Sequence, residues 1–156
     1  MVNSTSTCKN KTVELTTIDG IIQSNKFGEY YENNMDCQWN ITSNAWVELT
    51  FYSFDTEYLD DFLTVHDGAS LSSPNIGKFS GSTIPLPLVS ASSNLYVRFE
   101  TDAAQNKQYK GIRAKYRGKM RFILLMKISY VQKKEINTPT ITDGLRSFVN
   151  NHNHDR

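Results

Sequence analysis

From about Gly20 to Tyr116 apolar and polar residues alternate with a period of two, interrupted by turn residues at roughly eight- to twelve-residue intervals. Val47, Leu49 and Phe51 fall on one side of such a segment, with Glu48 and Thr50 on the other. Leu95, Val97 and Phe99 alternate in the same way with Tyr96, Arg98 and Glu100, and Ile112, Ala114 and Tyr116 with Arg113 and Lys115. Successive side chains of a strand point to opposite faces, so each segment buries one side. "DFLTVH" and "NIGKFSG" supply two further strands around the turn "DGASLSSP", and Pro85 and Pro87 mark an edge or a connection, because proline has no N–H for a central ladder. No helical period occurs in this region. Short alternating strands at this spacing predict an all-β, antiparallel β-sandwich.

The alternation lapses after Tyr116. "RFILLMKISYV" (121–131) is the longest apolar run, broken by Lys127 and too short to cross a bilayer, which takes about 20 apolar residues. A chain of 156 residues holds one compact domain. Residues 8–116 are expected to form it, and residues 117–156 an irregular tail that is disordered, helical or mis-joined sequence.

Charge separates the same two parts. Through Tyr116 there are 9 basic and 13 acidic residues; from Arg117 onward there are 8 basic and 3 acidic. The whole chain carries a net charge of +1, which gives no reason to expect a nucleic-acid partner. The two cysteines, Cys8 and Cys37, either form a bridge or remain buried thiols. Three sequons, at Asn3, Asn10 and Asn40, lie close to them and favour an extracellular, disulfide-bonded, glycosylated chain. The opening "MVNSTSTCKNK" has no apolar core and is not a signal peptide, so a secreted reading implies a mature fragment or a missing first exon.

Catalytic patterns are scarce. His66, His152 and His154 are the only histidines, and neither Gly-x-Ser-x-Gly nor His-Glu-x-x-His occurs. Glu57 and Asp61 could be imagined as a glycosidase pair, but no cluster of aromatic residues around them suggests a cleft. The terminal "HNHD" is an incidental zinc binder at most. The expectation is a chain without enzymatic activity. The remaining chemistry is acidic: "FYSFDTEYLDDFLTVHDG" (51–68) places Asp55, Glu57, Asp60, Asp61 and Asp67 at strand ends. Asp67-Gly68 reads as a tight-turn pair, Asp60 as a turn residue and Asp55 as a solvent-facing strand end.

Taken in order, "GIIQSNKFGEYYENNMDCQWNI", "VELTFYSFDTE", "DDFLTVHDG", "IGKFSG", "NLYVRFETD" and "KGIRAKY" resemble the CUB domain, an extracellular sandwich module of jelly-roll topology. The resemblance runs from Cys8 to Tyr116. It departs from the family at a second disulfide: Ser80 stands where a cysteine is common, and none lies between Glu57 and Asp61. The second half is therefore expected to hold by packing alone.

By motif position the resemblance implies a Ca2+ site, with Glu57, Asp61 and Asp102 as ligands and Tyr31 steadying them through its hydroxyl. Calcium takes six to eight oxygens, so three carboxylates with carbonyls and water make a plausible shell. Without the ion, three crowded carboxylates repel, and metal binding should be coupled to loop order. The resemblance also implies that Glu57, Asp61, Asp102 and Tyr31 meet a lysine or arginine from an extracellular protein partner, with Tyr31, Tyr58 and Tyr109 as candidate contact area. Two alternatives remain. One is a carbohydrate- or glycosaminoglycan-binding secreted protein of the spermadhesin type, disfavoured by the acidic sandwich; the other is a module of a larger protease or receptor.

Overall fold

The structure, a computed structural model, describes residues 4–26, 28–104 and 108–119. Ten strands follow one another: β1 (Thr5–Thr7), β2 (Thr12–Leu15), β3 (Asp19–Gln23), β4 (Asp36–Thr42), β5 (Val47–Asp55), β6 (Phe62–Asp67), β7 (Asn75–Phe79), β8 (Leu88–Val89), β9 (Asn94–Glu100) and β10 (Gly111–Gly118). They form two five-stranded sheets, ordered β1-β3-β10-β5-β8 and β2-β4-β9-β6-β7. The alternation seen in the sequence is realised in the packing. Val47, Leu49, Leu95, Val97 and Phe99 are fully buried, as are Ala114 and Tyr116, and the residues that alternate with them are more exposed, except Tyr96, which is buried against His66. Trp39 and Ile41 of β4 complete the core between the sheets.

Eight of the strand partnerships divide into six antiparallel and two parallel ones, and the parallel pairs are β1 with β3 and β2 with β4. Each sheet of the expected sandwich thus gains a parallel edge strand from the first fifteen residues. These two strands are short: β1 has no apolar residue, and β2 alternates over only four, with Val13 and Leu15 packed against the core. The bridge between Cys8 and Cys37 forms just beyond β1 and within β4, so it ties one sheet to the other. The prolines stand where expected: β8, which follows Pro87, is the two-residue edge of its sheet.

Gly20 shows how the last strand is seated. A Cβ there would come within 2.5–2.7 Å of the Tyr116 ring, so glycine alone lets that ring lie across β3. The Tyr116 hydroxyl then reaches Thr17 Oγ1 at 2.5 Å. β10 continues two residues past Tyr116, and Gly118 N–H donates to Ile18 O and Lys119 N–H to Trp46 O. The rest of the basic tail, from residue 120, lies outside the described residues, as do Asn3, His152 and His154.

Candidate metal centre

Four segments converge at one end of the sandwich: the stretch before β4 carrying Tyr31, the loop from β5 to β6 carrying Glu57 and Asp61, the turn at Ser80 and Gly81, and the residues after β9 carrying Asp102. Tyr31 is 2% exposed. Its ring packs edge-on against Phe99 and stacks on Tyr109. Its hydroxyl donates to Asp61 Oδ2 and accepts from Glu57 N–H at 3.0 Å. Burial, reinforced by the bond to Asp61, pushes the phenol far above its usual range, so the hydroxyl keeps its proton and acts as a fixed donor.

Asp61 is equally buried, at 2% exposure. Its Oδ1 accepts from Asp102 N–H at 2.9 Å, while its own N–H donates to Glu57 O at 3.3 Å. Asp102 is exposed and is held by its own turn: Oδ1 accepts from Ala104 N–H at 2.9 Å, and its carbonyl accepts from Asn34 N–H at 2.7 Å. Glu57, Asp61 and Asp102 each present a carboxylate oxygen, and these oxygens lie within 4.8 Å of one another. Both oxygens of Asp61 are hydrogen-bonded, yet among the described residues no lysine, arginine or histidine forms an ion pair with it. A buried carboxylate is normally met by a cation. The donor set of three clustered carboxylates, one of them buried and steadied from two sides, fits a hard divalent ion such as calcium.

The remaining sequence candidates separate from this cluster. Asp60 lies exposed on the turn. Asp55 is more than a solvent-facing strand end, because Oδ2 accepts from Lys110 N–H at 2.9 Å. Asp67 is more than a turn residue: its two oxygens accept from Ala91 N–H and Ser92 N–H, both at 2.9 Å, and clasp the loop before β9. Tyr31 is buried, and its hydroxyl is the part that reaches the cluster. Tyr109 is half-buried against it, and Tyr58, 68% exposed, is the tyrosine open to a partner. Of the sequons, Asn10 is exposed, whereas Asn40 is half-buried and donates to Glu14 Oε2 at 2.9 Å. His66 is buried, with Nδ1 2.9 Å from Ser73 O.

Sequence reading missed the clasp beneath the loop. Thr56, 1% exposed, donates its N–H to Gly81 O and accepts from Gly81 N–H through Oγ1, both at 2.9 Å. Leu59 N–H donates to Ser80 Oγ at 3.1 Å and holds Leu59 at a φ of 67°. The only hint was the serine standing at a cysteine position.

The family model for the CUB domain matches residues 8–116. The chain belongs to the CUB domain family. Among its CUB-containing relatives, Tolloid-like protein 2 of Homo sapiens is 34% identical over 107 residues, covering 65% of this chain and 10% of that protein. The full extracellular region of zebrafish Gpr126/Adgrg6 superposes with a TM-score of 0.59 at 28% identity, covering 72% of this chain and 15% of that one. The MASP-1 CUB2 domain, solved bound to Ca2+, shares the fold with a TM-score of 0.56 at 22% identity over 67% of this chain and 96% of that one. This chain therefore spans a small part of the larger proteins it matches. No helix among the described residues is long and apolar enough to cross a membrane.

Proposed function

We propose that this CUB domain is a non-catalytic extracellular binding module that holds one calcium ion at the acidic end of its sandwich. Glu57, Asp61 and Asp102 are the ligands and Tyr31 their support. The observation that carries this reading is the buried Asp61 carboxylate, hydrogen-bonded at both oxygens and, among the described residues, without a cationic side chain. Calcium in a related CUB2 domain of MASP-1 supports it. Held by Glu57, Asp61 and Asp102, the ion would supply positive charge that neutralises the clustered carboxylates.

The side chains prepare a protein-binding surface. Tyr31 fixes Asp61 and the Glu57 backbone at once, so the oxygens keep their spacing. Asp102, which is exposed, and Glu57 then receive a lysine or arginine of an extracellular protein through charge-assisted bonds that weaken with salt. Tyr58 supplies neighbouring contact area. Within a larger protease or receptor, the same end would position a neighbouring chain.

Terbium luminescence tests the reading, because bound Tb3+ is sensitised by nearby tyrosines and Tyr31 touches the ligands. The expected result is a saturable emission that calcium displaces with a dissociation constant on the order of 10⁻⁴–10⁻³ M. Emission unchanged by Asp61→Asn and Asp102→Ala would remove the assignment.

A further inference from the structure

The acidic total of the domain hides a basic face. β10 is an interior strand, and its outward positions are Arg113, Lys115 and Arg117. Residues two apart on a strand recur about every 7 Å, so these cations form a line on the outer surface of the first sheet. Lys110 and Lys26 extend the line at one end, where a cavity of 270 Å³ opens between them, Arg113 and Ser53. Asp19 and Glu48 flank Arg117 in the strand register, but Glu48 is engaged by Lys119 at 3.0 Å, and Asp55 accepts the backbone N–H of Lys110. Among the described residues, Lys26, Lys110, Lys115 and Arg117 form no ion pair.

An aromatic ring stands beside this line for a structural reason. The pairing of β10 with β5 shifts register where Arg113 faces Ser53 and Ala114 faces Phe51, which leaves Tyr52 as the extra, unpaired residue of a β-bulge. Tyr52 is 52% exposed and lines a recess of 210 Å³ with Thr50, Lys115, Arg117 and Glu48, the last paired with Lys119.

We propose that this face binds a linear sulfated polysaccharide, whose sulfate and carboxylate groups meet Lys110, Arg113, Lys115 and Arg117 while one sugar ring lies on Tyr52. Two features favour a polysaccharide over an acidic peptide. The cations are drawn out in a line with an aromatic platform beside them, and a sugar ring can offer the platform its C–H face while its anionic substituents reach sideways. A peptide added to this surface would find no strand edge to pair with, because β10 already pairs on both sides with β3 and β5. The proposed contacts include none of Glu57, Asp61 and Asp102, so binding does not require calcium.

The test is retention of the full chain on immobilised heparin in EDTA, followed by titration with heparin oligosaccharides, N- and O-desulfated heparin and polyglutamate. Expected are salt-sensitive retention, loss of about ten-fold in affinity in Lys115→Gln/Arg117→Gln, and a loss of roughly three-fold in Tyr52→Ala. Lys78→Gln, on the other sheet, should bind as the parent does. Lysine acetylation read by mass spectrometry supplies a check on the unmodified sequence: heparin should protect Lys110 and Lys115 while leaving Lys78, paired with the Phe62 ring on the other sheet, reactive. Absence of retention, equal binding of polyglutamate or desulfated heparin, or retention unchanged by the double substitution with no protection of Lys115 would each overturn the proposal. The last outcome would assign binding to the basic residues beyond Lys119.

Discussion

The two joints that hold the ends of this sandwich are made of different bonds. Cys8 and Cys37 connect the two sheets covalently near β1 and β4. The loop between β5 and β6, which carries Glu57 and Asp61, is joined to the turn after β7 by hydrogen bonds from Thr56, Gly81 and Leu59, with Ser80 Oγ in the place of a family cysteine. The expectation that this half holds by packing alone is therefore corrected, because a buried polar clasp does part of the task. The difference has a functional reading. A covalent joint stays closed in the unliganded chain, whereas hydrogen bonds worth about 1 kcal/mol each can open locally, so the order of the ligand-bearing loop depends more on what it binds.

The strongest way to break the comparison is to cut the covalent joint. Cys8→Ser/Cys37→Ser opens a crosslink across a sequence separation of 29 residues, which the chain-entropy model values at roughly 3–4 kcal/mol. Denaturant unfolding should show that loss of stability. Calcium affinity should change far less than stability, because the bridge touches none of the three carboxylates.

Tyr31→Phe acts next. It removes the donor to Asp61 and the acceptor for Glu57 N–H while leaving the ring against Phe99. A buried carboxylate then loses one of its two bonds, at a cost of about 1–3 kcal/mol. Calcium titration of this variant should give a weaker site, in contrast to the cysteine variant.

Ser80→Ala sharpens the comparison with the smallest change. It deletes the acceptor for Leu59 N–H at a solvent-accessible position, so equilibrium unfolding should report a loss of only about 0.5–1 kcal/mol. Hydrogen exchange should show faster opening of residues 57–61 than in the parent, with the protection of β4 and β9 retained.

The strands that build the core were legible because burial on one side imposes alternation, as at Val47, Leu49 and Phe51. The edge strands β1 and β2 were not: β1 has no apolar residue, and the alternation of Val13 and Leu15 in β2 runs over only four residues. The acidic cluster was legible through motif position, which brings Glu57, Asp61 and Asp102 forward from a chain with 16 acids. Its supporting bonds were not: nothing in the residues around Thr56 or Asp67 tells which distant backbone N–H they will meet. The basic face escaped notice for a different reason. Net charge sums over both sides of a strand and over all segments, and only the pairing of β10 between β3 and β5 sorts Arg113, Lys115 and Arg117 onto one surface.

Thermal unfolding of the full chain in excess EDTA, and then across calcium concentrations up to several millimolar, tests the central claim most directly. A ligand at 100 times its dissociation constant stabilises by about 2.7 kcal/mol, enough to move the midpoint by several degrees. A saturable rise in the parent that is lost in Asp102→Ala is the expected result. A midpoint insensitive to calcium, or one that rises equally in both proteins, would contradict a metal site at Glu57, Asp61 and Asp102.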